Sequence, residues 1–405
     1  MYSSAEVLEY ALQHNFIDSE EDRLIYLYNL DFLLQKYQLI KNSFPKNSSH
    51  TIPVKTAPLL GLLKFAVQNG MGLECASEIE FEMALQAKAK TIVINAPLKT
   101  PRLIKLLDNC NQQIHINVND LRELDKFKNV YQKHFISIRI NPLVDIQTAN
   151  YLQTANQFSK FGHLISKEEE IFSYIQKYPF VKGLHVHTGS NFTDFTPTIL
   201  GIEKVYHLAE KINNTYSNQI LSINIGGGLS ASCDLSLFAK ELFAKIPDLE
   251  KSKYHLLTEY GRFVYQNAAF AASIVEIIKD QIDKDLILCH FGGQAFVREI
   301  YTNDKYQGEI TVLQQQKNKN IKKYAIAGPL CYGGDFLVNQ INLPKVQEND
   351  WIILQNVGGN SLGLFSKHCS QAFPKVLAYQ IVNNQIQISI LKQKEQSQDV
   401  IHFWG

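Results

Sequence analysis

The chain has 405 residues, with 40 basic and 39 acidic side chains and a formal charge of +1. That length allows one large and one smaller domain, and so balanced a charge, without a long basic run, removes the electrostatic case for nucleic acid or a membrane surface as partner. Six cysteines, at 75, 110, 233, 289, 331 and 369, form no CxxC pair and keep no metal-finger spacing with histidine, so neither a metal site nor a disulfide framework is expected. The N-terminus lacks a basic region followed by an apolar one, and no apolar run is long enough to span a bilayer. The expectation is a soluble, cytoplasmic protein with reduced thiols and a small-molecule site.

Residues 1–22 read as a short polar helix and connector, and residues 24–28 as a short apolar, aromatic strand. A helix follows from Asp31 to about Phe44, with Leu30, Leu33, Leu34 and Tyr37 at helical spacing and Pro45 as its stop. A rhythm then begins. Strand candidates at 51–55, 72–76, 91–96, 114–118, 136–141, 181–187, 221–225 and 255–259 alternate with helical candidates at 59–68, 77–87, 101–108, 121–133, 167–177, 199–212 and 235–244. Eight strands alternating with helices predict an α/β fold, a parallel (β/α)8 TIM-type barrel, with an open doubly wound sheet as the alternative because periodicity does not prove closure. After Arg262, strand-like runs recur at 285–289, 309–313, 323–327, 351–354, 375–381 and 385–391 without regular helices, which predicts a C-terminal all-β domain. The polar stretch 314–322 reads as an exposed hairpin tip. The predicted division is a segment 1–30 free to pack on the β-rich domain, a barrel at 31–264 and a β-rich domain at 265–405.

A parallel barrel works at the carboxyl ends of its strands. Those ends carry Lys55, Glu74, Arg139, His187, Ser190, the run Gly226, Gly227 and Gly228, and then Glu259, Gly261 and Arg262. A lysine, a histidine, a glycine-rich turn and a lone carboxylate have one joint use: holding pyridoxal 5'-phosphate. Lys55 would condense with its aldehyde, helped if desolvation lowers the lysine pKa. Glu259 would keep the ring nitrogen protonated. His187 would stack on the ring, and the glycine amides with Ser190 and Arg262 would take the phosphate. Each residue alone has a blander role. A triple glycine is often a tight turn, His187 a core histidine, Arg139 a buried ion-pair partner and Lys55 a surface lysine. Glu80, three residues after Ser77, has capping-box spacing.

The order of these residues resembles the fold type III pyridoxal-phosphate-dependent decarboxylases, the diaminopimelate, ornithine and arginine decarboxylase family, over nearly the whole chain. The motifs that carry the resemblance are Pro53-Val54-Lys55-Thr56-Ala57, Glu74-Cys75-Ala76-Ser77, Arg139-Ile140-Asn141-Pro142, Ser159-Lys160-Phe161-Gly162, His185-Val186-His187-Thr188-Gly189-Ser190, Gly226-Gly227-Gly228, Glu259-Tyr260-Gly261-Arg262 and Gly328-Pro329-Leu330-Cys331. The resemblance implies a homodimer with shared active sites, in which Cys331 reaches the partner chain's site and contributes to proton delivery. Cys331 as a small buried apolar residue is the bland alternative.

Departures from the family pattern bear on the substrate. Ornithine-type members hold a distal ammonium with acidic residues, yet the corresponding regions here read His290-Phe291-Gly292-Gly293-Gln294 and, after Cys331, Tyr332. Arg298 matches the diaminopimelate-type arginine for a distal carboxylate, for which a guanidinium fork is suited. With Tyr332 in place of the acid that holds a distal amine, the combination points to an amino acid or conjugate with a distal carboxylate. The resemblance suggests a citryl-amino acid of carboxylate siderophore biosynthesis, with diaminopimelate decarboxylation in lysine biosynthesis and a non-catalytic cofactor-binding relative as alternatives. A racemase of related architecture is a further class, which the Gly-Pro-Leu-Cys motif disfavours. Asn360 stands where a tyrosine usually meets the phosphate, Tyr260 replaces a proline and Asn224 an aspartate. His368, in the stretch from Lys367 to Ser370, is a candidate substrate contact.

Overall fold

A computed structural model describes residues 2–146, 152–302, 306 and 308–405. Strands β1 to β10 are Leu24–Asn29, Ser49–Pro53, Gly72–Cys75, Ile92–Ile94, His115–Val118, Phe135–Asn141, His163–Leu164, Val181–Val186, Ser222–Asn224 and His255–Glu259. Eight of these, β2 to β6 and β8 to β10, pair in parallel around a ring that β5–β6 and β10–β2 close, while β7 adds two residues beside β6. The closed barrel is therefore real and the open sheet is excluded. Ile52, Leu73, Val93, Ile116, Ile138, Leu184, Ile223 and Leu257 are buried. Parallel strands are covered on both faces, hence their β-branched rather than alternating composition.

One compact unit comprises residues 34–264, the other residues 1–33 together with 265–405. In the second unit β1 is a central strand, antiparallel to β11 (Ala269–Ile274) and parallel to β18 (Lys375–Val382). Ile25 and Leu27 join a core with Val7, Leu8 and Phe270, while Tyr28 O–H donates to the Gly358 carbonyl at 2.9 Å. The helix Ser4–Gln13 that packs there starts at a Ser3–Glu6 capping box. Between β11 and β18 lie β12 (Ile277–Lys279), β13 (Asp285–Leu288), β14 (Ile310–Leu313), β15 (Ile321–Ala327), β16 (Phe336–Pro344) and β17 (Trp351–Leu354), with β19 (Gln385–Lys392) last. They form a six-stranded sheet, β14-β17-β11-β1-β18-β19, and a four-stranded one, β12-β13-β15-β16.

Two local expectations are corrected. Residues 121–133 are not an α-helix but 3-10 turns at Leu121–Phe127 and Tyr131–Lys133. Leu121, Leu124, Phe127 and Val130 are the buried residues, a spacing of three that matches three residues per turn. The stretch 314–322 is no hairpin tip, because β14 and β15 belong to different sheets and the segment crosses between them. Gln314 Nε2 donates to the Lys345 carbonyl at 2.8 Å along the way.

Candidate active site

In the barrel unit the sequence-predicted residues do fall at strand carboxyl ends. Lys55 sits in the 3-10 turn Val54–Thr56 directly after β2, with Val54 and Thr56 buried on either side. Lys55 is exposed, with 54% of its side-chain surface open. Its Nζ donates to Glu74 Oε2 at 3.0 Å. The other carboxylate oxygen, Glu74 Oε1, is buried without a hydrogen-bond partner. Burial pulls the lysine pKa down, but Glu74, with Glu259 and Glu80 behind it, pulls harder, and the net shift is upward. The expected depressed lysine is thus corrected: Lys55 is an ammonium held by a carboxylate on the neighbouring strand. Burial pushes the Glu74 carboxyl up.

Glu259, the last residue of β10, is buried. Its Oε1 accepts from Asn95 Nδ2 at 2.8 Å and Asn224 Nδ2 at 2.7 Å, and its Oε2 lies 3.7 Å from His185 Nε2. Burial opposes ionisation, but His185, His187 and the hydrogen bond from Asn95 outweigh it and hold this carboxyl well below the usual carboxylate range. His187 follows β8, and its Nδ1 accepts the Gly227 N–H at 3.1 Å, so the proton of the neutral ring is on Nε2. Burial first, then Arg139, lowers the His187 pKa to about 3. Arg139 is buried in β6 with its guanidinium 4.4 Å from the Phe161 ring centroid. Among the described residues it makes no ion pair, which removes the bland reading offered for it; burial lowers its pKa to about 10.

The glycines have steric reasons of their own. A Cβ at Gly227 would lie 2.0 Å from the Glu259 carbonyl oxygen, and one at Gly261 would lie 2.3 Å from Thr56 Oγ1, so both let neighbouring strand ends meet. Gly226 N–H already donates to Asn224 Oδ1 at 2.9 Å, and Gly227 N–H to His187. Two of the three amides expected to face phosphate are therefore engaged inside the chain. Ser190 N–H donates to the Leu152 carbonyl at 3.1 Å, and Arg262 opens the short helix Arg262–Tyr265. Glu80 accepts from Ala76 N–H at 2.6 Å while its own N–H donates to Ser77 Oγ at 3.1 Å, a capping role at the helix Glu78–Gln86.

Cys331, Arg298, Tyr332, His368 and Asn360 belong to the other compact unit. Cys331 is exposed, contrary to a buried apolar role, and all six cysteines are free. Tyr332 stacks on Tyr301 with ring centroids 5.5 Å apart, and Tyr301 O–H is bonded to His368 Nδ1. Arg298 is half-buried in the helix Val297–Tyr301. Asn360 has φ +59°, a left-handed conformation that asparagine tolerates. Sequence reasoning overlooked Asn95, at the carboxyl end of a strand it had placed, and Asp335, which accepts from Gly293 N–H at 2.7 Å and Leu330 N–H at 2.8 Å.

An accessible lysine after a barrel strand, an unpartnered buried oxygen on its carboxylate partner, an ionised glutamate and a flat neutral imidazole fit pyridoxal phosphate, and the closed parallel barrel makes this a pyridoxal enzyme of the barrel class. Residues 30–266 match the pyridoxal binding domain of the pyridoxal-dependent decarboxylases, and the chain belongs to that family. It is 28% identical to diaminopimelate decarboxylase of Aquifex aeolicus over 85% of this chain and 83% of the relative. It is 25% identical to the Helicobacter pylori diaminopimelate decarboxylase over 93% and 94% of the two chains. The structure of a Helicobacter pylori diaminopimelate decarboxylase complexed with L-lysine matches with TM-score 0.84 at 23% identity, covering 98% and 99%. The arginine decarboxylase of Paramecium bursaria Chlorella virus, bound to agmatine, matches with TM-score 0.79 at 17% identity, covering 93% and 100%. The chain is a pyridoxal-phosphate-dependent carboxy-lyase. Among the described residues no helix is long and apolar enough to cross a membrane, and no cluster of three or more His, Cys, Asp or Glu could hold a metal.

Proposed function

We propose that this decarboxylase removes the α-carboxylate of an amino acid bearing a distal carboxylate, with meso-diaminopimelate as the reference substrate. The named relatives favour diaminopimelate over the citryl conjugate expected from Tyr332. The observation that carries the reading is the Lys55–Glu74 pair, an ammonium on a buried carboxylate with a spare oxygen. When bound, pyridoxal phosphate supplies an electron sink for the pair left at Cα as carbon dioxide departs. Lys55 would hold the cofactor's aldehyde carbon covalently, and Glu74 would hold the ammonium whenever the lysine is free. Glu259 would accept from the protonated ring nitrogen as a carboxylate. His187, neutral and fixed by Gly227 N–H, would supply a flat uncharged surface for the ring. Arg139 contributes a buried cation at the same strand ends. Ser190, Gly226 to Gly228, Gly261 and Arg262 of the barrel unit would hold the phosphate, with Gly228 and Ser190 the principal donors because the amides of Gly226 and Gly227 are occupied. Arg298 would pair with the distal carboxylate, and Tyr332 and His368 would contact the substrate. The active unit is a homodimer, and the exposed Cys331 of a second copy delivers the proton to Cα.

The test is to incubate cofactor-loaded protein with meso-diaminopimelate and follow carbon dioxide and lysine by mass, with Lys55→Ala as control. Borohydride reduction should fix the cofactor on Lys55. A second reading keeps the citryl conjugate, favoured by one observation: the Tyr301–Tyr332–His368 ring cluster carries no carboxylate for a distal ammonium. Turnover of citryl-ornithine or citryl-diaminopropionate with none of meso-diaminopimelate would reverse the order of the two readings. A fixed cofactor with no carbon dioxide from a broad amino-acid panel would leave a binding protein, and loss of optical rotation without carbon dioxide a racemase.

A further inference from the structure

The β-rich unit contains a cavity of its own, of about 150 Å3, whose wall includes Glu21, Arg23, His290, Gln294, Gln371 and Lys394. That volume is room for about five water molecules at liquid density and falls below the roughly 300–1,000 Å3 of sites for larger ligands, so it suits a molecule of a few heavy atoms. The wall is charged. Glu276 Oε1 accepts from Arg23 Nε at 2.6 Å and lies 2.7 Å from His290 Nε2, while Arg23 Nη2 donates to Glu276 Oε2. A carboxylate can only accept, so the proton of the neutral ring is on Nε2 and Nδ1 is left over. Among the described residues neither His290 Nδ1 nor the Gln371 side-chain amide has a hydrogen-bond partner. Arg23 Nη1 donates to the Ser19 carbonyl at 2.8 Å and keeps a second N–H, and Lys394, bonded to Glu21 by two contacts, keeps its third.

We propose that this cavity is a binding site for one small monocarboxylate, taken up together with one proton on His290 Nδ1. Charge decides the class. With His290 neutral the site is balanced, Arg23 and Lys394 standing against Glu276 and Glu21. An anion alone would leave one uncompensated negative charge in a half-buried site, and a proton on His290 removes it. A ligand with two negative charges would exceed what one imidazole can balance. The ring is poised for this role: burial lowers the His290 pKa against the pull of Glu276, so near neutral pH Nδ1 is bare. Glu276, Arg23 and Lys394 are the charged groups whose fields reach the ring, with Glu21 held on Lys394. The bond from Arg23, joined by that from His290, outweighs burial and lowers the Glu276 pKa to about 2, so Glu276 is not the group that takes the proton. A carboxylate paired with the imidazole raises the His290 pKa, and binding therefore strengthens as pH falls. The site is independent of the decarboxylation chemistry, and its failure would leave the Lys55 reading untouched.

Nuclear magnetic resonance of cofactor-loaded protein, isotope-labelled at histidine Cε1, reads the site directly, with the His290 signal assigned by its absence from His290→Gln. Sodium acetate, exchanged for sodium chloride at constant ionic strength, is expected to move that signal toward the imidazolium position and to saturate below roughly 100 mM. The dissociation constant should rise about five- to tenfold between about pH 6.5 and about pH 7.5, the slope of one linked proton. Lys394→Gln should weaken binding about tenfold. It changes only a partly exposed pair, so it keeps the test decisive if His290→Gln does not fold: the histidine signal whose acetate response weakens is then that of His290. A His290 signal indifferent to acetate, a dissociation constant that does not change with pH, or tighter binding of inorganic phosphate than of acetate at about pH 7.5 would each overturn the proposal.

Discussion

Asp335 offers the sharpest single-atom perturbation in the β-rich unit. Its Oδ1 accepts Gly293 N–H and its Oδ2 accepts Leu330 N–H, so one buried carboxylate ties the loop leading to Arg298 to the turn that ends in Cys331. The two backbones also touch directly, since a Cβ at Gly328 would lie 2.3 Å from Gly292 Cα. Asparagine at 335 keeps one acceptor oxygen and turns an NH2 toward a backbone N–H, which loses one charge-assisted bond and strands a donor. Those changes cost roughly 2–3 kcal/mol. Burial pushes the Asp335 carboxyl up against its two bonds, so removing the charge returns part of that cost and places Asp335→Asn near about 2 kcal/mol. At roughly 2–4 °C per kcal/mol for a unit of this size, its melting midpoint should fall by about 4–8 °C. Asp335→Ala strands both donors and should cost about twice as much. Thermal unfolding followed by circular dichroism reads the effect, alongside carbon dioxide release, which should fall further as the Cys331 turn loosens. A midpoint for Asp335→Asn within about 1 °C of wild type would refute the reasoning.

Gly227→Ala puts a methyl group 2.0 Å from the Glu259 carbonyl oxygen, so it should destabilise the barrel by about 1–3 kcal/mol and lower cofactor occupancy, measured by urea unfolding and absorbance. Arg298→Ala should raise the KM for meso-diaminopimelate about tenfold or more while leaving cofactor absorbance unchanged; equal kinetics would remove Arg298 from substrate binding. Burial, with smaller contributions from Lys41 and His255, lowers the His50 pKa to about 4. A depressed folded pKa gives stability that is present above the unfolded value of about 6.5 and lost as pH falls toward the folded one, about 2 kcal/mol by about pH 5. Urea midpoints of His50→Gln should accordingly drop less than wild type between about pH 7.5 and about pH 5. Mixing inactive Lys55→Ala and Cys331→Ala proteins should restore part of the activity if sites are shared between copies; persistent inactivity of a demonstrated mixed dimer would count against sharing.

The barrel was legible because each strand lies between two parallel neighbours and must be apolar on both faces, which leaves short β-branched runs such as Thr51–Ile52–Pro53–Val54 plain in the sequence. Sheet membership was less legible. Nothing local marks β14 and β15 as parts of different sheets, since neither pairs with the other, and nothing local places β1 between β11 and β18, because those two pairings join residues hundreds of positions apart. The charge state of Lys55 was misread for a related reason. No acid is near it in sequence, yet Pro53 pairs in register with Glu74, so the next strand of the barrel brings the carboxylate alongside. Asn95 could have been found by treating amides at strand ends as seriously as charges. Asp335 left no comparable signal, since its partners are backbone groups on two loops.

The triple glycine shows why a motif and its usual explanation have to be separated. Gly226 has φ +68° and Gly228 φ +99°, and a Cβ at either would lie within about 2.5 Å of a barrel carbonyl, Val186 or Gly189. With Gly227 pressed on Glu259, all three positions demand glycine whether or not a phosphate ever binds. The same crowding aims Gly226 N–H at Asn224 and Gly227 N–H at His187. The glycines therefore act through those two side chains, one orienting an amide on the Glu259 carboxylate and the other holding the imidazole neutral. On this view Gly226→Ala should disturb the protonation of Glu259 before it weakens phosphate binding. An infrared carboxyl titration that stayed at its wild-type position while affinity for inorganic phosphate collapsed would return the run to its conventional role.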